Sequence, residues 1–150
     1  EQMWRFTRDV AEHRELVQDV FVNAFLSLES YRGKGPFLHW LRKVAVRTGY
    51  AFWRARRRRS RELALEADAM ERLAGEPEEH SAAEAADLVH RVLEKLPERD
   101  RVVLTLLYLE ERSVAEIAEL LGWSRAMVKV QTWRAKRKLE RLLDPAARSG

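Results

Sequence analysis

The sequence predicts an all-α protein built as two small helical domains joined by a linker, the C-terminal one a four-helix helix-turn-helix domain. Three observations predict it. The 150 residues include only 6 glycines and 4 prolines, too few for a turn-rich β fold. Apolar residues recur at steps of three and four, the helical period, and nowhere alternate in the manner of a strand. Charge is segregated: residues 1–61 hold 14 Lys and Arg against 6 Asp and Glu, residues 62–100 hold 4 against 12, and residues 101–150 hold 10 against 6. The net charge of +4 therefore hides two basic ends around an acidic middle. Two basic ends fit a polyanion touched at two places, with the middle acting as a tether outside that contact. The expected boundaries are a first domain over 1–60, a flexible acidic linker over 61–81 and a second domain over 82–144.

The first domain opens at Asp9 and Glu12, which have capping-box spacing. Leu16, Val17, Val20, Phe21, Ala24, Phe25 and Leu28 follow as one apolar face, with Leu16, Val17 and Val20 inward and Glu15, Gln18, Asp19 and Asn23 outward. The tract Tyr31-Arg32-Gly33-Lys34-Gly35 breaks this helix, and Pro36 stands where a first helical residue would. A second helix carries Phe37, Leu41, Val44, Ala45, Thr48 and Phe52 on one side and runs out into Arg56-Arg57-Arg58-Arg59. Around its start, Tyr31, Arg32, Lys34, His39, Lys43, Arg47 and Arg54 combine an aromatic face with cations, the set that holding a single nucleic-acid strand requires. Trp40 reads as core by its spacing with Phe37, Leu41 and Val44. The arginine run is either a solvated helix end or a clamp on duplex phosphates, and mutual repulsion among its cations favours an anionic partner. In the linker, Gly75-Glu76-Pro77-Glu78-Glu79 reads as a turn or tether, and Leu63, Met70 and Leu73 suggest a short helix.

The second domain begins at a further capping box, Ser81 and Glu84, followed by Ala85, Val89, Val92, Leu93 and Leu96 at helical spacing. Pro97 ends that helix and starts the next, where Val102, Val103, Leu106 and Leu107 face inward. Ser113 and Glu116 form a third box, heading a short helix with Ile117, Ala118 and Leu121 inside. Gly122 stops it, Ser124 caps the next helix, and that long basic helix runs to Leu143. A short brace helix, a glycine turn and a longer basic helix make the helix-turn-helix layout. If Val128, Ala135 and Leu139 pack inward, the opposite face shows Arg125, Lys129, Val130, Trp133, Arg134 and Arg137. Lys129 and Arg134 can donate to guanine edges or phosphates, and Val130 or Trp133 can touch thymine methyls and sugars. A basic amphipathic helix can also be a plain solvated face; the Gly122 turn, the capped brace helix and Trp133 together favour DNA binding.

Other classes fare poorly. Cysteine is absent, which removes disulfides, thiolate metal sites and a cysteine nucleophile and suits a reducing, cytoplasmic setting. His13, His39, His80 and His90 are scattered without metal-ligand spacing, and neither a Ser-His-acid arrangement nor a phosphate loop stands out. No cofactor and no catalysis are expected. The longest apolar stretch, Val102 to Leu109 with Thr105 inside it, is far short of a bilayer span, so no membrane contact is expected.

Two stretches carry a resemblance. LEKLPERDRVVLTLLYLEERSVAEIAELLGWSRAMVKVQTWRAKRKL resembles the promoter-binding C-terminal domain of bacterial RNA polymerase sigma factors, and the likeness is nearest to the extracytoplasmic-function group, which has only two such domains. The matching residues are Leu96-Pro97, Arg101, Val103-Leu104, Glu116-Ile117-Ala118, Leu121-Gly122, Val128-Lys129 and Arg134-Ala135. Met127, Val130, Gln131 and Thr132 depart from the pattern, where threonine, serine, arginine and an aliphatic are usual. In the first domain, Glu15-Leu16-Val17-Gln18-Asp19-Val20-Phe21 resembles the family helix that docks on the clamp coiled coil of the polymerase's largest subunit, and Phe37, Trp40-Leu41 and Val44-Ala45 match its strand-capture helix. At positions 47 and 51 the family usually has asparagine and often has aspartate; here they are Arg47 and Ala51. The family's first domain begins with another helix, of which Met3 to Thr7 would be the end.

The resemblance implies a sigma factor whose second domain reads the minus-thirty-five duplex and whose first domain captures the minus-ten strand with a base turned out. It implies core RNA polymerase as partner, through the clamp helices and the flap region, promoter DNA as ligand, and control by an anti-sigma protein. A stand-alone helix-turn-helix regulator on duplex operators is the competing reading; the strand-capture match argues against it.

Overall fold

The computed structural model describes residues 2–66 and 82–144, which form helices with no strand among them. A short 3-10 turn, Gln2–Arg5, leads into α1, Val10–Leu26. Asp9 caps α1, its carboxylate accepting from the Glu12 amide at 2.9 Å. The expected box is half made: Glu12 takes the Thr7 hydroxyl at 2.6 Å and Arg56 at 3.0 Å instead, and the Asp9 amide turns to the Thr7 hydroxyl. Leu16, Val20 and Ala24 are buried against the next helix, and Glu15, Gln18 and Asp19 lie outward, as expected, while the Asn23 side chain turns to Thr48 of that helix. Phe21, Phe25 and Leu28 do not join the covered face; they are 62%, 77% and 48% exposed. The reason is geometric: Phe21 and Phe25 lie about 100° round the helix from the Val20–Ala24 row, and one neighbouring helix covers only a narrow stripe.

Helix α2, Phe37–Glu66, is longer than the sequence suggests, continuing past the arginine run through Leu63 into what reads as linker. Its buried side carries Ala45, Val46, Thr48 and Trp53, and Trp53 donates its indole N–H to the Phe6 carbonyl at 2.8 Å. Gly49 lets the Phe6 ring lie directly on the α2 backbone; a Cβ there would strike that ring. Phe37 is 45% exposed, so the apolar stripe becomes core only further along the helix. The Met70, Leu73 and Gly75–Glu79 readings, and Ser81 of the second capping box, fall outside the described residues.

Four further helices follow: α3 (Ala82–Glu94), α4 (Glu98–Leu104), α5 (Val114–Leu121) and α6 (Arg125–Leu143). Pro97 is the residue before α4, and a π turn over Thr105–Leu109 bends the chain from α4 toward α5. Val102, Val103, Leu106, Ile117, Leu120, Val128 and Ala135 are each at most 1% exposed. Burial of each valine, leucine or isoleucine side chain in this set contributes on the order of 1.5–3 kcal/mol. This core is continuous with Met3, Phe6, Leu16, Val20, Ala45, Val46 and Trp53, so the two helical units sit against each other, α2 meeting α4 and α5.

Candidate nucleic-acid interface

The basic helix of the second unit is built as the sequence predicts. Ser113 accepts from the Glu116 amide at 3.1 Å, and the Glu116 carboxylate accepts from the Ser113 amide at 3.3 Å, closing a reciprocal cap. Those bonds hold the Glu116 carboxyl below its ordinary range. Gly122 ends α5 with φ 72°, the left-handed turn a side chain would resist, and the Ser124 hydroxyl accepts from the Met127 amide to start α6. Val128 and Ala135 are fully buried, which turns Arg125, Lys129, Val130, Trp133, Arg134 and Arg137 outward. Trp133 is 59% exposed, and the Arg137 guanidinium lies 4.9 Å from its ring centroid. A large apolar ring left in water beside four cations suits a groove, where the ring meets sugars and methyl groups and the cations meet phosphates and base edges.

The seat of this helix is a polar cluster the sequence reading missed. Asp100 on α4, fully buried, accepts from Gln131 at 2.6 Å and from Lys138 at 2.7 Å. Gln131 and Lys138 stand two turns apart on one face of α6, a spacing visible in sequence once the acceptor is known.

In the first unit, Tyr31, Arg32, Lys34, His39, Lys43, Arg47 and Arg54 separate into four groups. Arg32 and Lys34 are exposed in the loop. Tyr31 packs against Phe37 and Trp40, with ring centroids 5.4 and 5.6 Å away, and donates its hydroxyl to the Gly35 carbonyl. Trp40 is half-buried in this aromatic cluster, its indole donating to Ser30 at 3.3 Å, rather than in the main core. His39, Lys43 and Arg47 point at α5, where His39 meets Glu119 at 2.9 Å and Arg47 donates to the Leu120 carbonyl at 3.0 Å. The His39 hydrogen bond holds the Glu119 carboxyl below its ordinary range. Arg54 leans over the Tyr50 ring at 5.3 Å.

The arginine run is only partly a surface for an outside anion. Arg56 pairs with Glu12 at 3.0 Å and lies 3.8 Å from Glu94, and Arg57 donates to the Leu96 carbonyl at 3.0 Å and lies 3.5 Å from Glu98. Acidic residues of α1, α3 and α4 thus relieve the repulsion the sequence leaves unanswered. Nearby, Arg101 is 6% exposed and sits 3.9 Å over the Trp53 ring, its pKa pushed down to about 10 by burial. Arg101 also donates to His90 Nδ1 at 3.1 Å, and His90 Nε2 donates to the Arg5 carbonyl at 3.0 Å. Of the set on α1 that the sequence assigns to polymerase docking, Asn23 donates its amide to Thr48 at 3.0 Å, leaving Glu15, Gln18 and Asp19 as the outward part.

Among the described residues no group of three or more acidic and histidine side chains is placed to hold a metal, and no helix is long and apolar enough to cross a membrane.

Comparison with known proteins agrees with this geometry. The family model for sigma-70 region 2 matches residues 2–59, and that for sigma-70 region 4 matches residues 79–139. The RNA polymerase sigma-H factor of Pseudomonas aeruginosa is 28% identical over 96% of this chain and 79% of its own length. The ECF RNA polymerase sigma-E factor of Escherichia coli is 29% identical over 89% of this chain and 75% of its own. Among solved structures, CnrH in complex with the cytosolic domain of CnrY aligns with a TM-score of 0.64 at 25% identity, over 95% of this chain and 77% of that one. The sigma factor RpoE in complex with the anti-sigma factor NepR, from Bartonella quintana, shares the fold with a TM-score of 0.61 at 22% identity, over 94% of this chain and 86% of that one. With both regions matched in order along one chain, and with the short brace helix, glycine turn and basic helix in place in the second, this protein belongs to the sigma-70 family of RNA polymerase sigma factors, in its extracytoplasmic-function group.

Proposed function

We propose that this chain is a promoter-selecting subunit of bacterial RNA polymerase, acting in the cytoplasm without covalent chemistry of its own. The outward face of α1, with Glu15, Gln18 and Asp19, docks on the clamp coiled coil of the core enzyme, while the second unit engages the flap. On α6, Lys129 and Arg134 read base edges of the minus-thirty-five duplex, Val130 and Trp133 pack on methyls and sugars, and Arg125 and Arg137 grip phosphates. The Tyr31–Pro36 loop and the first turns of α2 hold the unpaired minus-ten strand.

Energetically the task is feasible. Each base step opened costs about 1.4 kcal/mol in lost stacking. A base captured on an aromatic face returns about 1–3 kcal/mol, so capture of one or two bases offsets the start of melting. The observation that carries the reading is the outward set Lys129, Trp133, Arg134 and Arg137 on a helix seated by a Gly122 turn, in the same chain as an aromatic and cationic loop. A stand-alone duplex regulator has no use for that loop. Relatives solved with bound anti-sigma proteins support control of this chain by such a partner.

Addition of the chain to core polymerase should yield promoter-specific run-off RNA from a genomic template library. Failure to form a complex with core, read by gel filtration, would refute the proposal.

A further inference from the structure

A cleft of about 310 Å³ opens between the second half of α2 and the turn from α3 into α4. It is lined by four cations, Arg56, Arg57, Lys95 and Arg101, against two carboxylates, Glu94 and Glu98, a formal excess of two positive charges. Trp53 walls one side, and Ser60 adds a hydroxyl. The sequence shows only the arginine run; the α3–α4 turn and Arg101 make part of that run into a concave site.

Arg101 is the residue that packing alone does not explain. It is 6% exposed, and burying a guanidinium is costly unless acceptors meet it. An arginine has five N–H donors. The side-chain hydrogen bond of Arg101 among the described residues goes to the neutral His90 ring, and the Trp53 ring lies against the guanidinium at 3.9 Å. No carboxylate forms an ion pair with it among the described residues; Glu94 and Glu98 act on it only through space. The two acids also stand off from the other cations. Arg57 Nε lies 3.5 Å from Glu98 and Arg56 Nη2 lies 3.8 Å from Glu94, beyond the about 2.7–2.9 Å of a charge-assisted hydrogen bond. Arg56 makes one close bond, to Glu12, and Arg57 one, to the Leu96 carbonyl, each at 3.0 Å, so both keep further donors.

Concavity selects the ligand. A DNA backbone meets cations that project from a surface, and Arg101 lies too deep to be one of them. The volume stands at the low end of small-molecule sites. An excess of two charges, guanidinium forks and a hydroxyl match a tetrahedral dianion better than a single carboxylate.

We propose that this cleft binds a small phosphorylated anion, held by Arg57, Lys95 and Arg101 with Ser60 as a further donor, and so bridging α2 and α4. The site shares no residue with the reading face of α6 or with the Tyr31–Pro36 loop. It goes beyond promoter recognition and stands or falls without it.

The test is a titration of the full chain with inorganic phosphate at constant ionic strength, read on the tryptophan indole N–H resonances. The chain has five tryptophans, and Trp53→Phe assigns the one in the cleft. The Trp53 resonance should move and saturate with a midpoint on the order of 1 mM, while that of Trp133, on the α6 face, should stay in place. Arg57→Gln should weaken binding about tenfold, the loss of one charge-assisted donor. Because Arg57 also bonds to Leu96, the exposed Lys95→Gln serves as a second variant and should weaken binding about threefold. Glu98→Gln removes a competing carboxylate and should tighten binding about threefold. Arg14→Gln, an exposed cation outside the cleft, should change it by less than about 1.5-fold. Ribose 5-phosphate in place of phosphate identifies the source: tighter binding assigns a phosphorylated metabolite and equal or weaker binding assigns inorganic phosphate, either one supporting the site. Absence of a saturable Trp53 shift overturns the proposal. So does Trp133 moving in step with Trp53, or Arg14→Gln weakening binding as much as Arg57→Gln, since both report diffuse attraction to a basic chain. Midpoints unchanged in both Arg57→Gln and Lys95→Gln overturn it as well.

Discussion

Removal of the Lys138 ammonium should destabilise this protein more than removal of the carboxylate it meets, although Lys138 lies at the surface. The Asp100 carboxylate is fully buried, with one donor from Gln131 at 2.6 Å and one from Lys138 at 2.7 Å. The Lys138 side chain is 44% exposed, so as a surface ion pair the bond would be worth under about 1 kcal/mol. The partner decides otherwise. In Lys138→Met the carboxylate stays buried with one neutral donor, and an uncompensated buried charge costs on the order of 3 kcal/mol. In Asp100→Ala the ammonium returns to water, and the main loss is the Gln131 amide left without its acceptor, about 1–2 kcal/mol. At about 2–4 °C per kcal/mol for a chain of this size, Lys138→Met should lower Tm by roughly 6–12 °C and Asp100→Ala by roughly 3–6 °C. Asp100→Asn combined with Lys138→Met should recover part of the loss, because the buried charge is gone. The assay is thermal unfolding of these proteins, with Asp100→Asn alone added to close the double-mutant cycle and duplex DNA binding as a second readout, since the cluster seats α6. A Lys138→Met protein as stable as the unsubstituted chain, or less affected than Asp100→Ala, would refute the reasoning.

Three further outcomes are expected. Arg134→Ala and Lys129→Ala should each weaken binding to the minus-thirty-five duplex by about 1–3 kcal/mol in anisotropy titrations, and the variant that relaxes base preference identifies which of the two reads an edge. His90 is held below its ordinary value of 6.5 by burial and by Arg101, so above that pH both folded and unfolded chains carry it neutral. As pH falls below 6.5 the unfolded chain takes up the proton first, so stability should decline with falling pH until the folded histidine is protonated too; His90→Gln should flatten that limb in urea titrations. Thr132 is buried with its hydroxyl unpartnered at a position where the family carries an aliphatic, so Thr132→Val should raise Tm by the equivalent of about 1 kcal/mol.

Helix existence, caps and the outward face of α6 were legible because each depends on local rules. Ser113, Glu116, Gly122 and Ser124 act within a few residues of themselves, and the period of 3.6 separates Val128 and Ala135 from Lys129 and Trp133 without knowledge of any neighbour. Expectations failed where the outcome depends on what another helix covers. Phe21 and Phe25 fit an apolar period, but α2 is one helix wide and leaves them in water. The arginine run reads as unpaired cation because Glu12, Glu94 and Glu98 come from three other elements. Asp100 looks like an ordinary first-turn acid of α4 until Gln131 and Lys138 are brought over it. Family likeness located the domains but could not supply these pairings, since Gln131 and Arg47 are among the positions where this chain departs from the pattern.

Those two departures share a physical logic. At position 131 the usual arginine would bring a cation to Asp100 from within α6; here a neutral amide stands there, and the charge arrives from Lys138 two turns later, from a side chain half in solvent. At position 47 the usual asparagine is replaced by a longer, permanently charged side chain, which reaches across to the carbonyl end of α5. The first change moves a charge toward the surface end of the α4–α6 contact, and the second ties α2 to α5 of the other unit. An arginine offers five donors and no acceptor, so it cannot make the acceptor contacts of an asparagine to a turned-out base. The same substitution therefore changes what α2 can offer a base and adds a hydrogen bond between the two units. Arg47→Asn should consequently shift minus-ten base preference in transcription by the holoenzyme, and an unchanged preference would refute the assignment of position 47 to that strand.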